Sequence, residues 1–239
     1  MTDNPLPRRI PLAVKLGFTA FMAVLVPYYW TEYGPTNFLY FCDIALFLTL
    51  LGVWTERPLF ASMAAVGITL PQLAWQIDFL GLLIGAAPLG LVEYMADESI
   101  SLFARGLSLF HFWLPLLLLW MIHRHGYDRR GLVGWTVLAI PAMLVAYFLL
   151  PAPGDALAFP NQPANVNYVY GLSESAPQTL MPAPAWLTMM LIGLPALVYL
   201  PTHLALAWWR GGRPAGGDQG SEIGDRESGD DLLRPIPDP

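Results

Sequence analysis

Two residues that can act together in nucleophilic catalysis lie in separate apolar segments. Cys42 is the only cysteine of the chain, and His111 lies within a long apolar run. A thiolate is the reactive form of cysteine, and a histidine can remove the thiol proton. Asp43 follows Cys42 directly, and Arg105 and Ser108 precede His111 at intervals of three residues, which corresponds to one stripe of a helix. The pattern predicts Cys42 as nucleophile and His111 as base. Asp43 would orient another group of the site or neutralise the charge of Arg105. Arg105 would bind a lipid phosphate or a developing oxyanion.

Six apolar runs are long enough to carry these residues across a membrane. At ~1.5 Å per residue, ~20 residues of helix cross a hydrocarbon core of ~30 Å. The sequence therefore predicts an all-α polytopic bundle of six transmembrane helices in one domain, residues 11–209. The predicted spans are about 11–29, 37–54, 59–77, 100–122, 131–150 and 186–209.

The basic residues are confined to alternate loops of this arrangement. Of the 12 lysines and arginines, all except Arg105 lie in the N-terminal segment, at the 55–58 turn, in the 123–130 loop or after the last span. Basic loops stay on the cytoplasmic side. We therefore expect both termini, including an arm over 1–10, to face the cytoplasm from a bacterial inner membrane. The segment 210–239 is rich in Gly, Asp, Glu, Ser and Pro, which predicts a disordered cytoplasmic tail.

Composition agrees with a membrane protein and disfavours a nucleic-acid partner. The chain is 55% hydrophobic with a formal net charge of −6, and its mean hydropathy is +0.48. No basic face for nucleic acid is evident. A further apolar segment, 79–92, is short and interrupted by Gly and Pro, and a crossing there would break the charge pattern. We expect it to be interfacial or re-entrant on the outer side.

Polar residues of the second, third and fourth spans fall at a similar predicted depth, in the outer half of the membrane. The third span contributes Gln72, Gln76 and Asp78 near its outer end. Polar groups are costly in hydrocarbon, so this grouping predicts a site. Structural explanations stay open, because Cys42 can be an inert small apolar residue and the glutamines can form interhelical hydrogen bonds. Asp43 and Arg105 can likewise form an ion pair between helices.

The loop over 151–185 is long, rich in proline and free of lysine and arginine. It contains the run Asn165-Val-Asn167-Tyr168-Val-Tyr170-Gly171. Long loops without periodicity are often functional. We expect this loop either to cover the outer site as a lid or to serve as a connector.

The order of these motifs resembles the YwaF-like family of bacterial six-helix integral membrane proteins and their eukaryotic transmembrane acyltransferase relatives. The resemblance is carried by Phe41-Cys42-Asp43-Ile44, by Leu109-Phe110-His111-Phe112-Trp113-Leu114-Pro115, by Asn167-Tyr168-Val-Tyr170 with the later Pro177, and by a last span after Trp186. The eukaryotic relatives are described as lipid acyl-transfer enzymes. The resemblance implies Cys42 as nucleophile, His111 as base, and Asn167 and Tyr168 as loop partners.

These observations predict a Cys/His-dependent lipid acyltransferase or acyl-ester hydrolase acting on a membrane lipid. No cofactor and no metal are expected, because Cys42 and His111 are too few ligands for a zinc site. Two other classes stay open. One is a non-catalytic subunit that binds lipid or assembles with membrane-protein partners, and the other is a small-solute transporter.

Overall fold

The computed structural model describes residues 9–159, 161–173 and 176–210, and these form helices joined by turns and loops, without any strand. The predicted tail from 211 onward and most of the predicted N-terminal arm lie outside the described residues. The helices are α1 Leu12–Glu32, α2 Phe41–Thr55, α3 Pro58–Leu83, α4 Leu102–Ser108, α5 Phe110–His125, α6 Gly131–Leu149, α7 Ala183–Leu194 and α8 Leu200–Arg210.

Five of the apolar segments are long enough to cross a membrane. They are α1, α3, the α4–α5 segment Leu102–His125, α6 and the α7–α8 segment Ala183–Arg210. The prediction of an all-helical chain with membrane-length apolar helices is confirmed at this level. The predicted second span differs, because α2 has 15 residues and measures only ~22 Å. A short 3-10 helix at Pro35–Leu39 takes up its expected beginning.

The predicted fourth span is divided into α4 and α5 at Leu109 by a local competition for hydrogen bonds. The His111 imidazole Nδ1 lies 2.7 Å from the Ser108 carbonyl oxygen, which a regular helix would offer to the amide of Phe112. The Phe112 amide instead donates to the Leu109 carbonyl at 3.0 Å. At this point the backbone therefore makes a hydrogen bond between residues three apart, where a regular α-helix would join residues four apart.

The predicted last span is continuous but irregular where α7 meets α8. Pro195 has no amide hydrogen to donate to the preceding turn. The segment Pro195–Tyr199 is π-helical, and the amide of Leu200 donates to the Pro195 carbonyl. Local π adjustments of this kind restore backbone hydrogen bonding around prolines in apolar helices.

The segment 79–92, expected to be interfacial or re-entrant, has two parts. Its first residues continue α3 as far as Leu83, beyond the predicted end at 77. The remainder is an irregular loop fastened to α3 by Asp78. The Asp78 carboxylate is fully buried and accepts hydrogen bonds from the amides of Leu89 at 2.7 Å and Leu91 at 2.6 Å.

Helix α3 is the centre of the bundle and contacts α2, α5, α6 and α8. Small residues line it, which lets neighbouring helices approach closely. The clearest case is Gly67, where an added Cβ would lie 1.8 Å from the Trp135 ring of α6. Other small residues of α3 are also buried. Ser62, Ala64 and Ala65 are completely buried, and Ala61 is 2% exposed.

The two ends of the bundle differ in their connections. We call the end formed by the α1–α2, α3–α4 and α6–α7 connections the loop end. The opposite end, with the start of α1 and the α2–α3 and α5–α6 connections, is the basic end. At the loop end, residues 161–173 pack onto the helices, and Val166 and Val169 are completely buried against α6 and α7. This part of the long loop is a packed element of the fold.

Candidate functional site

Cys42 lies in the first turn of α2, where the long loop reaches the bundle. Asn167 accepts a hydrogen bond from the Phe41 amide through Oδ1 at 3.0 Å and donates from Nδ2 to the Leu39 carbonyl at 2.8 Å. Both bonded peptide groups lie within three residues of Cys42. Asn167 itself has φ +59°, in the left-handed region that asparagine tolerates better than most residues. The loop motif and the cysteine motif therefore meet directly.

Asp43 is almost completely buried next to this junction, with 2% exposure. Its Oδ2 accepts from the Asn37 side chain at 2.9 Å, whereas Oδ1 is buried without a partner. A buried polar atom without a partner costs free energy unless a ligand or water satisfies it. Asp43 therefore offers one free acceptor inside the helical bundle.

His111 is held in one orientation by α4 and α3. A carbonyl oxygen can only accept, so His111 donates from Nδ1–H to the Ser108 oxygen at 2.7 Å. This tautomer leaves Nε2 with a lone pair, which is the form a general base requires. The imidazole also stacks on Trp75, with ring centroids 4.7 Å apart and planes inclined by 16°.

The position of Pro115 in the sequence explains the hydrogen bond that Gln76 makes. Pro115 lacks an amide hydrogen, so the His111 carbonyl four residues earlier has no partner within α5. Gln76 of α3 donates to that carbonyl from Nε2 at 2.7 Å. The contact agrees with the structural alternative for this glutamine, an interhelical hydrogen bond.

Gln72 lies one turn from Gln76 on α3 and differs from it. Its side chain is 2% exposed, and neither the amide nitrogen nor the amide oxygen has a hydrogen-bond partner. Counted from the α2–α3 turn at ~1.5 Å per residue, Gln72 and Asp43 both lie about 20 Å along their helices. The two adjacent helices therefore carry unsatisfied polar groups at one level.

Arg105 of α4 and Asp78 of α3 both bind backbone groups of the loop between these helices. Arg105 donates from Nη1 to the Met95 carbonyl at 3.1 Å, and its Nε is buried without a partner. The alternative of an Asp43–Arg105 ion pair is wrong for the described chain, whose two salt bridges are Lys15–Glu56 and Arg130–Asp128. The arginine is directed instead to the loop that follows α3.

Ser108 and Tyr168 complete the set of predicted site residues. The Ser108 hydroxyl lies 3.5 Å from the Tyr29 hydroxyl of α1, at the limit of a hydrogen bond. Tyr168 accepts a hydrogen bond from the Trp186 indole through its carbonyl, at 2.9 Å. Its φ is +60°, so it is the second left-handed residue in succession.

The structure thus brings the loop motif to Cys42, and it places His111 in a neighbouring group of contacts. Within the described residues no hydrogen bond joins Cys42 to His111. Helix α3 contacts both α2, which carries Cys42, and α5, which carries His111.

Sequence reasoning missed two residues of this site. Asn37 is buried and bonds Asp43, and Trp75 is buried and forms one wall against the imidazole. Asn37 stands six residues before Asp43, an interval that suggests no contact in a continuous helix. The available signal was Pro35, which lies just before the predicted second span and begins a separate short turn.

No group of three His, Cys, Asp or Glu side chains within the described ranges is arranged to hold a metal ion. Comparison of the chain with protein-family models, curated proteins and solved structures gave no match.

Proposed function

We propose that this chain is a six-span protein of the bacterial inner membrane with both termini in the cytoplasm. The arrangement puts the basic end at the cytoplasmic surface and the loop end outside. It rests on the distribution of basic residues, since cytoplasmic loops carry the lysines and arginines. Helix α2 would span with the Pro35–Leu39 turn and local thinning of the bilayer. A fluorescent protein that folds only in the cytoplasm should be bright when fused after Pro239.

Within this topology, the protein would bind a membrane lipid in the outer half of the bilayer and transfer or hydrolyse its acyl ester through Cys42. The observation that carries the proposal is the Asn167 clamp on the first turn of α2. It joins two of the parts that the resemblance links, the cysteine helix and the Asn-Tyr loop. The free lone pair on His111 Nε2 supports the same chemistry.

The reaction would proceed in two balanced steps. The Cys42 sulfur attacks the acyl carbonyl carbon, and the thiol proton passes through His111 to the leaving alcohol oxygen as the ester C–O bond breaks. An acyl thioester results. An acceptor hydroxyl or water then attacks this thioester, gives its proton to His111 and releases the thiolate, which His111 reprotonates. No oxidant, reductant or cofactor is needed.

The proposal is tested with purified protein in vesicles of phosphatidylethanolamine and phosphatidylglycerol that carry a fluorescent acyl chain. Release or transfer of the labelled chain should depend on protein, and Cys42→Ala and His111→Gln should each abolish it. Gln76→Ala is a matched variant, because Gln76 donates to the His111 backbone carbonyl and not to its imidazole. Full activity of Cys42→Ala would overturn the proposal.

A second candidate function is lipid binding without chemistry. The unsatisfied amide of Gln72 and the free Oδ1 of Asp43 favour it, because both would gain a partner from a bound polar group whether or not a bond is broken. Under this alternative, Gln72→Leu would weaken lipid retention while Cys42→Ala would change nothing. The two candidates therefore differ in their dependence on the thiol.

A further inference from the structure

The basic end holds a cavity of about 450 Å³ between the start of α1 and the α2–α3 turn. Arg9 and Lys15 line it on the α1 side, and Trp54 and Glu56 line it on the α2 side. It lies at the opposite end of the bundle from Cys42 and His111. The cavity therefore has no part in the proposed acyl chemistry.

Glu56 holds together the two sides of this cavity. Its Oε1 accepts from the Lys15 ammonium at 2.6 Å and from the Ile10 amide at 3.3 Å. The residue itself has φ +56°, so these bonds fasten a left-handed backbone position to the beginning of α1. The acid that lines the cavity is thus paired through Oε1 with Lys15 and with the backbone just before α1.

The surrounding positive charge is not compensated. Arg9 and Arg57 are exposed, and neither forms a salt bridge within the described chain. Arg124 of α5 reaches the cavity edge, where its Nη2 donates to the Arg9 carbonyl at 3.4 Å. With the Lys15–Glu56 pair neutral, the three arginines leave an excess of positive charge.

Three buried nitrogen atoms at this end have no hydrogen-bond partner, namely Nε of Arg124, Nε2 of His125 and Nε of Arg210. Arg124 is the one of these residues that bonds Arg9 at the cavity. An arginine presents its N–H groups in a fork that matches phosphate oxygens. An unsatisfied arginine donor beside uncompensated positive charge indicates an anionic ligand.

Two large apolar side chains that line the cavity are exposed. Leu12 is 62% exposed and Trp54 is 47% exposed. The Trp54 indole donates to Thr19 at 2.9 Å and lies 5.6 Å from the Lys15 ammonium. Tryptophan and lysine at a helix end are typical of the headgroup level of a bilayer.

We propose that this cavity binds the phosphate of an anionic glycerophospholipid, with Arg9 and Arg124 as the principal ligands and Leu12 and Trp54 against the upper acyl chains. Basic pockets between helices at the cytoplasmic surface recognise such headgroups. The two exposed apolar side chains favour a lipid over free phosphate, because a small anion leaves Leu12 and Trp54 uncovered.

The test is a lipid titration of the detergent-purified full chain, followed by native mass spectrometry and thermal unfolding. The probes are dioleoyl phosphatidylglycerol, dioleoyl phosphatidylcholine and sodium phosphate. Phosphatidylglycerol should bind at least about tenfold more tightly than phosphatidylcholine, with weaker binding as salt increases. Each of Arg9→Gln and Arg124→Gln should weaken phosphatidylglycerol binding about fivefold, since a basic residue contributes ~1 kcal/mol near an anionic headgroup.

Arg129→Gln is the matched control, because Arg129 is exposed at the same end outside the cavity. An equal loss in this control would show unspecific attraction and overturn the site. Stabilisation by sodium phosphate as strong as that by phosphatidylglycerol would overturn the lipid assignment. The Arg9→Gln variant should fold normally, because the Arg9 side chain is exposed. If it unfolds at the wild-type temperature but binds unchanged, the proposal is wrong.

Discussion

The side chain of Asn167 accepts a hydrogen bond from the backbone amide of Phe41 at 3.0 Å, across 126 positions of sequence. The first amides of a helix have no partner within the helix, and a side chain from a distant loop here supplies one. Because the same asparagine also bonds the Leu39 carbonyl, it fixes the point where the chain enters α2. The position of Cys42 therefore depends on a loop that the sequence places far away.

Asn167→Ala should destabilise the protein by about 2–4 kcal/mol. Two buried hydrogen bonds are lost, and alanine disfavours the left-handed backbone at this position. Thermal unfolding in detergent measures the effect. Asn161→Ala is the control in the same loop, because Asn161 and its hydrogen bond to Glu32 are both exposed, and the change in stability should be less than about 0.5 kcal/mol. Equal effects of the two substitutions would show that the clamp does not stabilise the fold.

Gly67→Ala should be among the most damaging single-methyl additions in the chain. The new Cβ would lie within 1.8 Å of the Trp135 ring, which is completely buried between α3 and α6. Overpacking of this kind costs about 1–3 kcal/mol or more. Gly17→Ala on α1 meets nothing within 4 Å and should be neutral or slightly stabilising. Thermal unfolding of the two variants compares them, and an unaffected Gly67→Ala would contradict the close α3–α6 packing.

Acid should weaken the contact between α1 and the α2–α3 turn. The hydrogen bond from Lys15 holds the pKa of the Glu56 carboxyl below its ordinary value of 4.5. A carboxyl with a lowered pKa stabilises the fold above its unfolded value and loses that contribution as the pH falls through the folded one. Wild type should therefore lose stability below about pH 4.5 more steeply than Glu56→Gln.

At neutral pH, Glu56→Gln should cost about 1 kcal/mol, as expected for a partly exposed ion pair. Glu98→Gln removes an exposed acid at the other end and should leave the stability at neutral pH unchanged. Thermal unfolding between pH 7 and pH 3.5 gives both quantities. Parallel curves for wild type and Glu56→Gln would refute the assigned role.

The apolar runs of the sequence predicted most of the helices, because length and hydropathy alone decide whether a helix can cross hydrocarbon. Helix breaks were harder to predict. The division of α4 from α5 depends on the His111 imidazole taking the Ser108 carbonyl, a choice of rotamer that hydropathy does not encode. The short start of α2 depends on a turn after Pro35.

The site shows the same division between local and distant information. Counting residues along antiparallel helices predicts a common level for Asp43, Gln72 and His111. The hydrogen-bond partners in this region could not be predicted in the same way. Asn37 and Asn167 reach it only through turns and loops with specific backbone angles. The alternative of an Asp43–Arg105 pair is not seen among the described residues, where Arg105 donates to the Met95 carbonyl in a loop that Asp78 also binds.

The most direct measurement is acyl labelling of the single cysteine. Membranes containing wild type, Cys42→Ala or His111→Gln receive phospholipids with alkyne-tagged acyl chains, and the protein is analysed for a label that hydroxylamine removes. We predict a labile label on wild type and none on Cys42→Ala, with strongly reduced labelling of His111→Gln. Absence of label from all three proteins, together with a Cys42 thiol that resists small alkylating reagents in folded membranes, would contradict the proposed acyl chemistry.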